Sequence, residues 1–327
     1  MKYRTIGTDP ATRREVSVLS LGAMLFGTVT DEKTAFAILD RYVEAGGTFV
    51  DTSDNYAFWQ TGSVGGESET VLGNWRRSRG IGAEIVIATK LGAAPLAPGT
   101  GYVDNAEGLS AAAIQKAVAG STARLGMERL DLLYAHIPDP KVELTETVRE
   151  FGALVNEGRV GLLGVSNHWA WQVERARAIA RAEGLPGYEV LQYQHSYLRH
   201  RVDTPSQLSP DGELGTADGN LLSMVRAEED LTLVAYSPLL GGAYVRADKP
   251  LSAGHDHGST QPRLAALREV AKSSGATVNQ VVLAWMMGAP VPAIPLVGAS
   301  SVAQIEESLA AVDLELTEEE RARLDAV

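Results

Sequence analysis

The chain of 327 residues contains no cysteine. Disulfides, thiolate nucleophiles and structural zinc of the cysteine type are therefore excluded. Basic residues are scarce beside acidic ones, 29 against 41, which leaves a net charge of -12. That balance argues against nucleic acid or an anionic membrane as a partner of the whole surface, while leaving room for a local phosphate seat. No apolar run approaches the roughly 20 residues that span a bilayer, and the N-terminus (Met1, Lys2, Tyr3, Arg4) lacks a signal peptide's apolar core. A cytoplasmic location is expected. No G-x-x-x-x-G-K-[ST] occurs, and no G-x-G-x-x-G follows the first candidate strand, so the sequence offers no phosphate-binding turn for a doubly wound sheet.

What is present is alternation. Segments 2–6 and 15–19 can pair as a hairpin across a turn-rich connection. A helix is expected over 34–45, where Ala35, Ile38, Leu39, Tyr42 and Val43 recur at helical spacing before the stop Gly46-Gly47. Strands are expected at 48–51, 84–90, 130–136, 160–166, 188–193, 231–236 and 292–297. Helices are expected at 67–75, 110–125, 143–157, 169–183, 221–228, 263–274, 278–287 and 302–311. Long connections fall at 91–108, 199–220 and 237–262, and a terminal helix should follow the N-cap Thr317. About eight strand and helix pairs without a composition break predict an α/β fold: one (β/α)8 TIM barrel over residues 1–327, preceded by the β-hairpin.

Three successive apolar runs end on polar residues: Asp51, Lys90 and His136, with Tyr56 five positions after the first. In a parallel barrel the strands' C-terminal ends carry the active site, so the four can meet in one pocket. A free tyrosine titrates near 10. A lysine ammonium beside it would favour the phenolate, Asp51 would hold the lysine charged, and a neutral His136 could hydrogen-bond a carbonyl oxygen while Tyr56 delivers the proton. No metal-ligand set or activated nucleophile accompanies these groups, so the remaining reagent is a hydride donor. Taken singly, a buried Asp–Lys pair is commonly structural and a strand-end histidine commonly packs the core. Joint placement on three consecutive strand ends is what points to catalysis.

Over nearly its whole length the chain resembles the aldo-keto reductases. The resemblance rests on Phe49-Val-Asp-Thr with Tyr56, Gly65-Gly-Glu-Ser-Glu69, Ala88-Thr-Lys90, Asp131-Leu-Leu-Tyr-Ala-His136, Gly164-Val-Ser-Asn167, Gln192 and Ala235-Tyr-Ser-Pro-Leu239. It implies a nicotinamide cofactor bound without a Rossmann domain, with Asp51, Tyr56, Lys90 and His136 as the catalytic four. It further implies that Ser166, Asn167 and Gln192 hold the carboxamide, that Tyr236 stacks on the ring, and that Ser237, Leu239 and Gly241 lie along the pyrophosphate. The last turn, with Gly298, Ser300, Gln304, Glu307 and Ser308, would take the adenosine end. Many relatives carry Lys or Arg where this chain has Ser300, Ser301 or Gln304. Serine hydroxyls and backbone N–H groups at a helix N-terminus can still bind phosphate, so NADPH is the expected cofactor, with discrimination against NADH weakened by the missing cations.

For the substrate, a small-molecule aldehyde or ketone such as a sugar or aromatic carbonyl, Phe26, Phe58, Trp59 and Trp169 are candidate walls. His255-Asp-His257 has no third partner and reads as a solvated loop; no metal is expected. Two rival readings remain at this level. One is a cofactor-binding regulatory subunit resembling the potassium-channel β subunits; the other is a lyase using Lys90 as a Schiff base, which a neighbouring Asp51 opposes. Oligomeric state is not legible.

Overall fold

The computed structural model describes residues 1–60, 62–97, 105–201, 203–204, 208–209, 212 and 214–327. Parts of the connections expected at 91–108 and 199–220 thus lie outside the described residues. The hairpin is present, as β1 (Tyr3–Ile6) antiparallel to β2 (Arg14–Ser17). Eight parallel strands then close on themselves: β3 (Ser20–Gly22), β4 (Phe49–Asp51), β5 (Val86–Leu91), β6 (Leu130–Ala135), β7 (Val160–Ser166), β8 (Val190–Gln194), β9 (Thr232–Tyr236) and β10 (Ala293–Gly298). Each pairs with its successor, and β10 returns to β3 with Val297 opposite Leu21.

The helices that cover the barrel start and stop where local chemistry dictates. Helix α1 (Glu32–Glu44) begins at Asp31, whose side chain accepts from the Thr34 amide, satisfying one of the orphan donors of the first turn. The series continues with α2 (Glu67–Arg79), α3 (Ala111–Leu125), α4 (Leu144–Asn156), α5 (Ala170–Glu183), α6 (Gly219–Ala227), α7 (Thr260–Ser274), α8 (Val278–Met287) and α9 (Val302–Ala310). Helix α10 (Glu318–Asp325) opens with the expected Thr317 cap, reciprocated by Glu320 in a capping box. One strand differs from expectation. The hairpin reading ran through Leu19, whereas β3 is a separate three-residue strand at 20–22 whose short, serine-led sequence carries no apolar run.

Two apolar layers result. Between helices and strands lies a large shell that includes Leu39, Leu72, Val118, Leu154, Val173, Leu267 and Val282. Inside the barrel a smaller cluster joins Phe49, Val86, Leu132, Tyr134, Leu162, Val190, Val234 and Ile294 to Ile6 and Val16 of the hairpin, which thereby plugs the N-terminal end. The opposite end is left for polar residues. Gly164 in β7 matters here: a Cβ would lie 2.4 Å from the Tyr134 ring, so only glycine lets that ring lie beneath the strand ends.

Candidate active site

Strands β4 and β5 pair with Asp51 opposite Ala88, and β5 and β6 with Lys90 opposite Tyr134. This register brings the ends of three strands together. The Lys90 ammonium, fully buried, bonds to Asp51 Oδ1, to the Thr52 carbonyl at 2.8 Å and to Tyr56 Oη at 2.6 Å. All three of its N–H donors are therefore committed. The Tyr56 hydroxyl lies 3.3 Å from Asp51 Oδ1, and Gln192 Nε2 donates to Asp51 Oδ2 at 2.7 Å. Burial pulls the Lys90 ammonium below its ordinary range, with Asp51 opposing. His136 follows β6 directly, its ring 6.1 Å from that of Tyr56 and edge-on to it. Burial, together with the Lys90 charge, holds the imidazole well below its usual range, so it is neutral at physiological pH.

Residues that sequence reasoning passed over hold this group. Ser53 Oγ sits 3.2 Å from His136 Nδ1 and 2.7 Å from Asn55 Oδ1, while Asn55 Nδ2 donates to the Ala93 carbonyl at 3.1 Å. The only signal was an unbroken polar run, Thr52-Ser-Asp-Asn55, after the strand. Asp54, also buried, hydrogen-bonds Glu107; burial and the Glu107 charge push its carboxyl well above the usual range. Thr52 bonds Ser68 at 2.6 Å, and Ser68 donates to the Ala23 carbonyl at 2.7 Å, tying the loop after β4 to α2.

Beside Asp51, Tyr56, Lys90 and His136 lie Ser166, Asn167 and Tyr236. Asn167 adopts a left-handed φ of 58°, donates to the His136 carbonyl and to Ser166 Oγ, each at 3.0 Å, and accepts from the Tyr236 hydroxyl at 2.9 Å. Gly215, at φ 98°, passes so close that a Cβ would lie 2.4 Å from Asn167 Oδ1. After β9 the backbone goes from Leu239 at φ -103° to left-handed values of 49°, 65° and 98° at Leu240, Gly241 and Gly242. The turn is closed on itself: the Leu240 amide donates to the Ser237 carbonyl at 3.0 Å and the Gly242 amide to the Leu239 carbonyl at 2.9 Å. Ser237 precedes it, also left-handed.

The other expected residues separate. In the last turn the Ser300 amide and hydroxyl both donate to Gln304 Oε1, at 2.7 and 3.0 Å, and no Lys or Arg occurs between Gly298 and Ser308. Glu307 accepts from Thr277 at 2.7 Å and the Ser308 hydroxyl donates to the Gln304 carbonyl, so both serve helix packing here. Phe26 is buried in the outer core and offers no open face. Phe58 and Trp59 stand edge to face at 5.2 Å, Trp59 half exposed; Trp169 caps α5. The loop at 255–257 is not solvated as expected. His255 is buried with its ring 4.7 Å from that of His200, and His257 Nε2 lies 2.8 Å from the Arg199 carbonyl.

A closed parallel barrel whose strand ends hold a buried carboxylate and lysine, with a half-buried loop tyrosine and a neutral imidazole beside them, defines a class of site suited to moving a proton at an oxygen. Comparison with known proteins makes the class specific. Residues 18–327 match the Aldo/keto reductase family, and the chain belongs to it. It is 32% identical over 332 residues to norsolorinic acid reductase B of Aspergillus parasiticus, covering 98% of this chain and 82% of that protein. It is 30% identical over 330 residues to the uncharacterized oxidoreductase YrpG of Bacillus subtilis, covering 98% and 93%. A thermostable aldo-keto reductase crystallised with the inhibitor epalrestat shares the fold, with a TM-score of 0.74 over 100% of this chain and 99% of the other at 22% identity. The chain is thus an oxidoreductase of a family that uses nicotinamide cofactors on small-molecule carbonyl compounds. Among the described residues no helix is long and apolar enough to cross a membrane.

Proposed function

We propose that the protein reduces neutral, apolar aldehydes and ketones to alcohols with NADPH, using Tyr56 as the general acid. The observation that carries this reading is the 2.6 Å contact from the Lys90 ammonium to Tyr56 Oη, within a network anchored by Asp51. As Tyr56 releases its proton to the substrate oxygen, the ammonium stabilises the phenolate left behind. When bound, the reduced nicotinamide supplies the hydride for the carbonyl carbon. Ser166, Asn167 and Tyr236 would hold the nicotinamide end, and the turn of Ser237, Leu239 and Gly241 would lie along the pyrophosphate. Gln192 acts first on Asp51, keeping that carboxylate turned toward the lysine. Ser300 and Gln304 offer hydroxyl and amide but no cation, so NADPH is taken with only modest preference over NADH. A Schiff-base role for Lys90 is disfavoured because all three of its donors are committed.

The restriction to neutral substrates rests on the mouth. The loops after β3, β4 and β5 (23–31, 52–66 and 92–110) contain no Lys or Arg in sequence. Met24, Trp59, Val64 and Leu96 on these loops are exposed. At these three loops an anionic substrate would meet apolar groups and acidic neighbours without a Lys or Arg of the same loops to pair with. The test is loss of reduced-nicotinamide absorbance with methyl 4-formylbenzoate and with 4-formylbenzoate, using NADPH and NADH in parallel. The reading expects turnover of the ester at a kcat/KM at least roughly tenfold above the acid, the cost of leaving a carboxylate unpaired. Equal turnover of both removes the charge restriction, and cofactor binding without any turnover favours a binding subunit over an enzyme.

A further inference from the structure

Residues 214–217 return to the end of β8. The Gln194 amide donates to the Gly215 carbonyl at 2.7 Å and the Ala217 amide to the Gln194 carbonyl at 2.8 Å, so that Thr216 forms a parallel bridge with Gln194. Leu214 and Ala217 are buried. This short segment caps β8 between its two neighbours and lies against Asn167, which follows β7, and Tyr236, which ends β9.

The contact is made by bare backbone. A Cβ on Gly215 would lie 2.4 Å from Asn167 Oδ1, 3.3 Å from Asn167 Cγ and 3.0 Å from Tyr236 Oη. Neither side chain is free to retreat alone. Asn167 is held by its left-handed backbone and by its donations to the His136 carbonyl and Ser166 Oγ, each at 3.0 Å. The Tyr236 hydroxyl donates to Asn167 Oδ1 at 2.9 Å and stands 3.4 Å from the Gly215 carbonyl. Two constraints thus fall on position 215: a φ of 98° that a side chain would strain, and a close approach that one would obstruct. The first serves the turn. The second serves only the two side chains it touches.

We infer that Gly215 is a positioning residue for the nicotinamide end of the cofactor, its bare backbone locking the Asn167 amide and the Tyr236 hydroxyl into one unit. The inference rests on the proposed reading in which these two side chains, with Ser166, hold that end. A methyl group at 215 drives Asn167 Oδ1 off the Tyr236 hydroxyl, and the seat loses the hydrogen bond that joins its two walls. The contact from Lys90 to Tyr56 shares no direct hydrogen bond with this unit, so the effect falls first on cofactor affinity.

The structural part can be read without cofactor. In proton–nitrogen spectra of the full chain, the Asn167 side-chain NH2 pair, identified by its loss in Asn167→Gly, should be displaced in Gly215→Ala. NADPH affinity, measured by fluorescence quenching, should fall roughly fivefold in Gly215→Ala, the weight of one neutral hydrogen bond. In the Asn167→Gly background the same replacement should change affinity by less than about twofold, because the amide it displaces is gone. Left-handed strain, by contrast, lowers the urea midpoint equally in both backgrounds. A Gly215→Ala variant with a lower midpoint but an unmoved NH2 pair and parental NADPH affinity makes Gly215 a turn residue and overturns the inference. An equal loss of affinity in both backgrounds overturns it too. Should Gly215→Ala fail to fold, the double variant, relieved of the 2.4 Å contact, must fold; failure of both assigns the cost to the turn and overturns the inference. A displaced NH2 pair in a protein that binds neither NADPH nor NADH counts instead against the cofactor reading alone.

Discussion

Asp51 and Lys90 form an ion pair whose side chains are 0% and 1% exposed, at the centre of the proposed site. Removing one partner of such a pair leaves the other charge desolvated, at a cost of about 3–5 kcal/mol. The two single replacements should not behave alike. In Lys90→Met, Asp51 keeps the Gln192 and Tyr56 donors and stays partly satisfied. In Asp51→Asn, the ammonium keeps the Thr52 carbonyl and Tyr56 Oη but loses its only opposing charge in direct contact. Burial already lowers the Lys90 value, so in this variant the amine sheds its proton more readily in the folded state than in the unfolded chain. The unfolded state then binds more protons, and stability must rise with pH. Urea denaturation followed by tryptophan fluorescence should show Asp51→Asn about 3 kcal/mol or more below the parent at pH 7, with the deficit shrinking toward pH 9. The double variant Asp51→Asn/Lys90→Met should recover about 2 kcal/mol relative to the sum of the singles. Additivity within about 0.5 kcal/mol, or a deficit that grows with pH, would refute the coupling argued here.

Two further predictions concern buried titratable groups. Asp54 carries a raised carboxyl value, so the unfolded chain, in which Asp ionises near 4, releases its proton first; the parent loses stability as pH rises above that point. Asp54→Asn removes the penalty and should be more stable than the parent by about 1–3 kcal/mol at pH 8, with little difference at pH 4, as read by urea melts. His168 is buried, its imidazole lowered to about 4 mainly by desolvation. Between pH 6.5 and that value only the unfolded state takes up the proton, so stability falls with acidification, by about 2 kcal/mol at pH 5. Replacing it by Gln should flatten that part of the acid limb; an unchanged slope would show that His168 is charged in the folded protein.

Much of this architecture was legible because barrel strands and their covering helices have different periods and because glycines and capping residues mark their ends. The run 160–166 and the helix 278–287 emerge with the expected bounds for that reason. Strand β3 was not legible, since three residues led by a serine carry no periodic signal and depend on pairing with β10 and β4. Within the site, Asp51, Lys90 and His136 stood out as polar stops to apolar runs. The contact from Gln192 to Asp51 joins residues 141 positions apart and exists only once the barrel closes. Ser53 and Asn55 were hidden for a different reason: short polar residues after a strand are the ordinary composition of a loop, and only their bonds to His136 and the Ala93 carbonyl distinguish them. Phe26 read as a candidate substrate wall because it lies on a loop after a strand, yet the turn that bridges it to Thr30 folds its ring into the outer core.

The central claim is that Tyr56, poised by Lys90, delivers the proton. Its most direct test is single-turnover oxidation of bound NADPH by methyl 4-formylbenzoate in the parent and in Tyr56→Phe, with cofactor affinity measured on the same samples by fluorescence quenching. The account predicts unchanged cofactor affinity and a rate lower by about 10²–10⁴-fold, the usual weight of a positioned general acid. A Tyr56→Phe variant that binds NADPH and oxidises it as fast as the parent would contradict it.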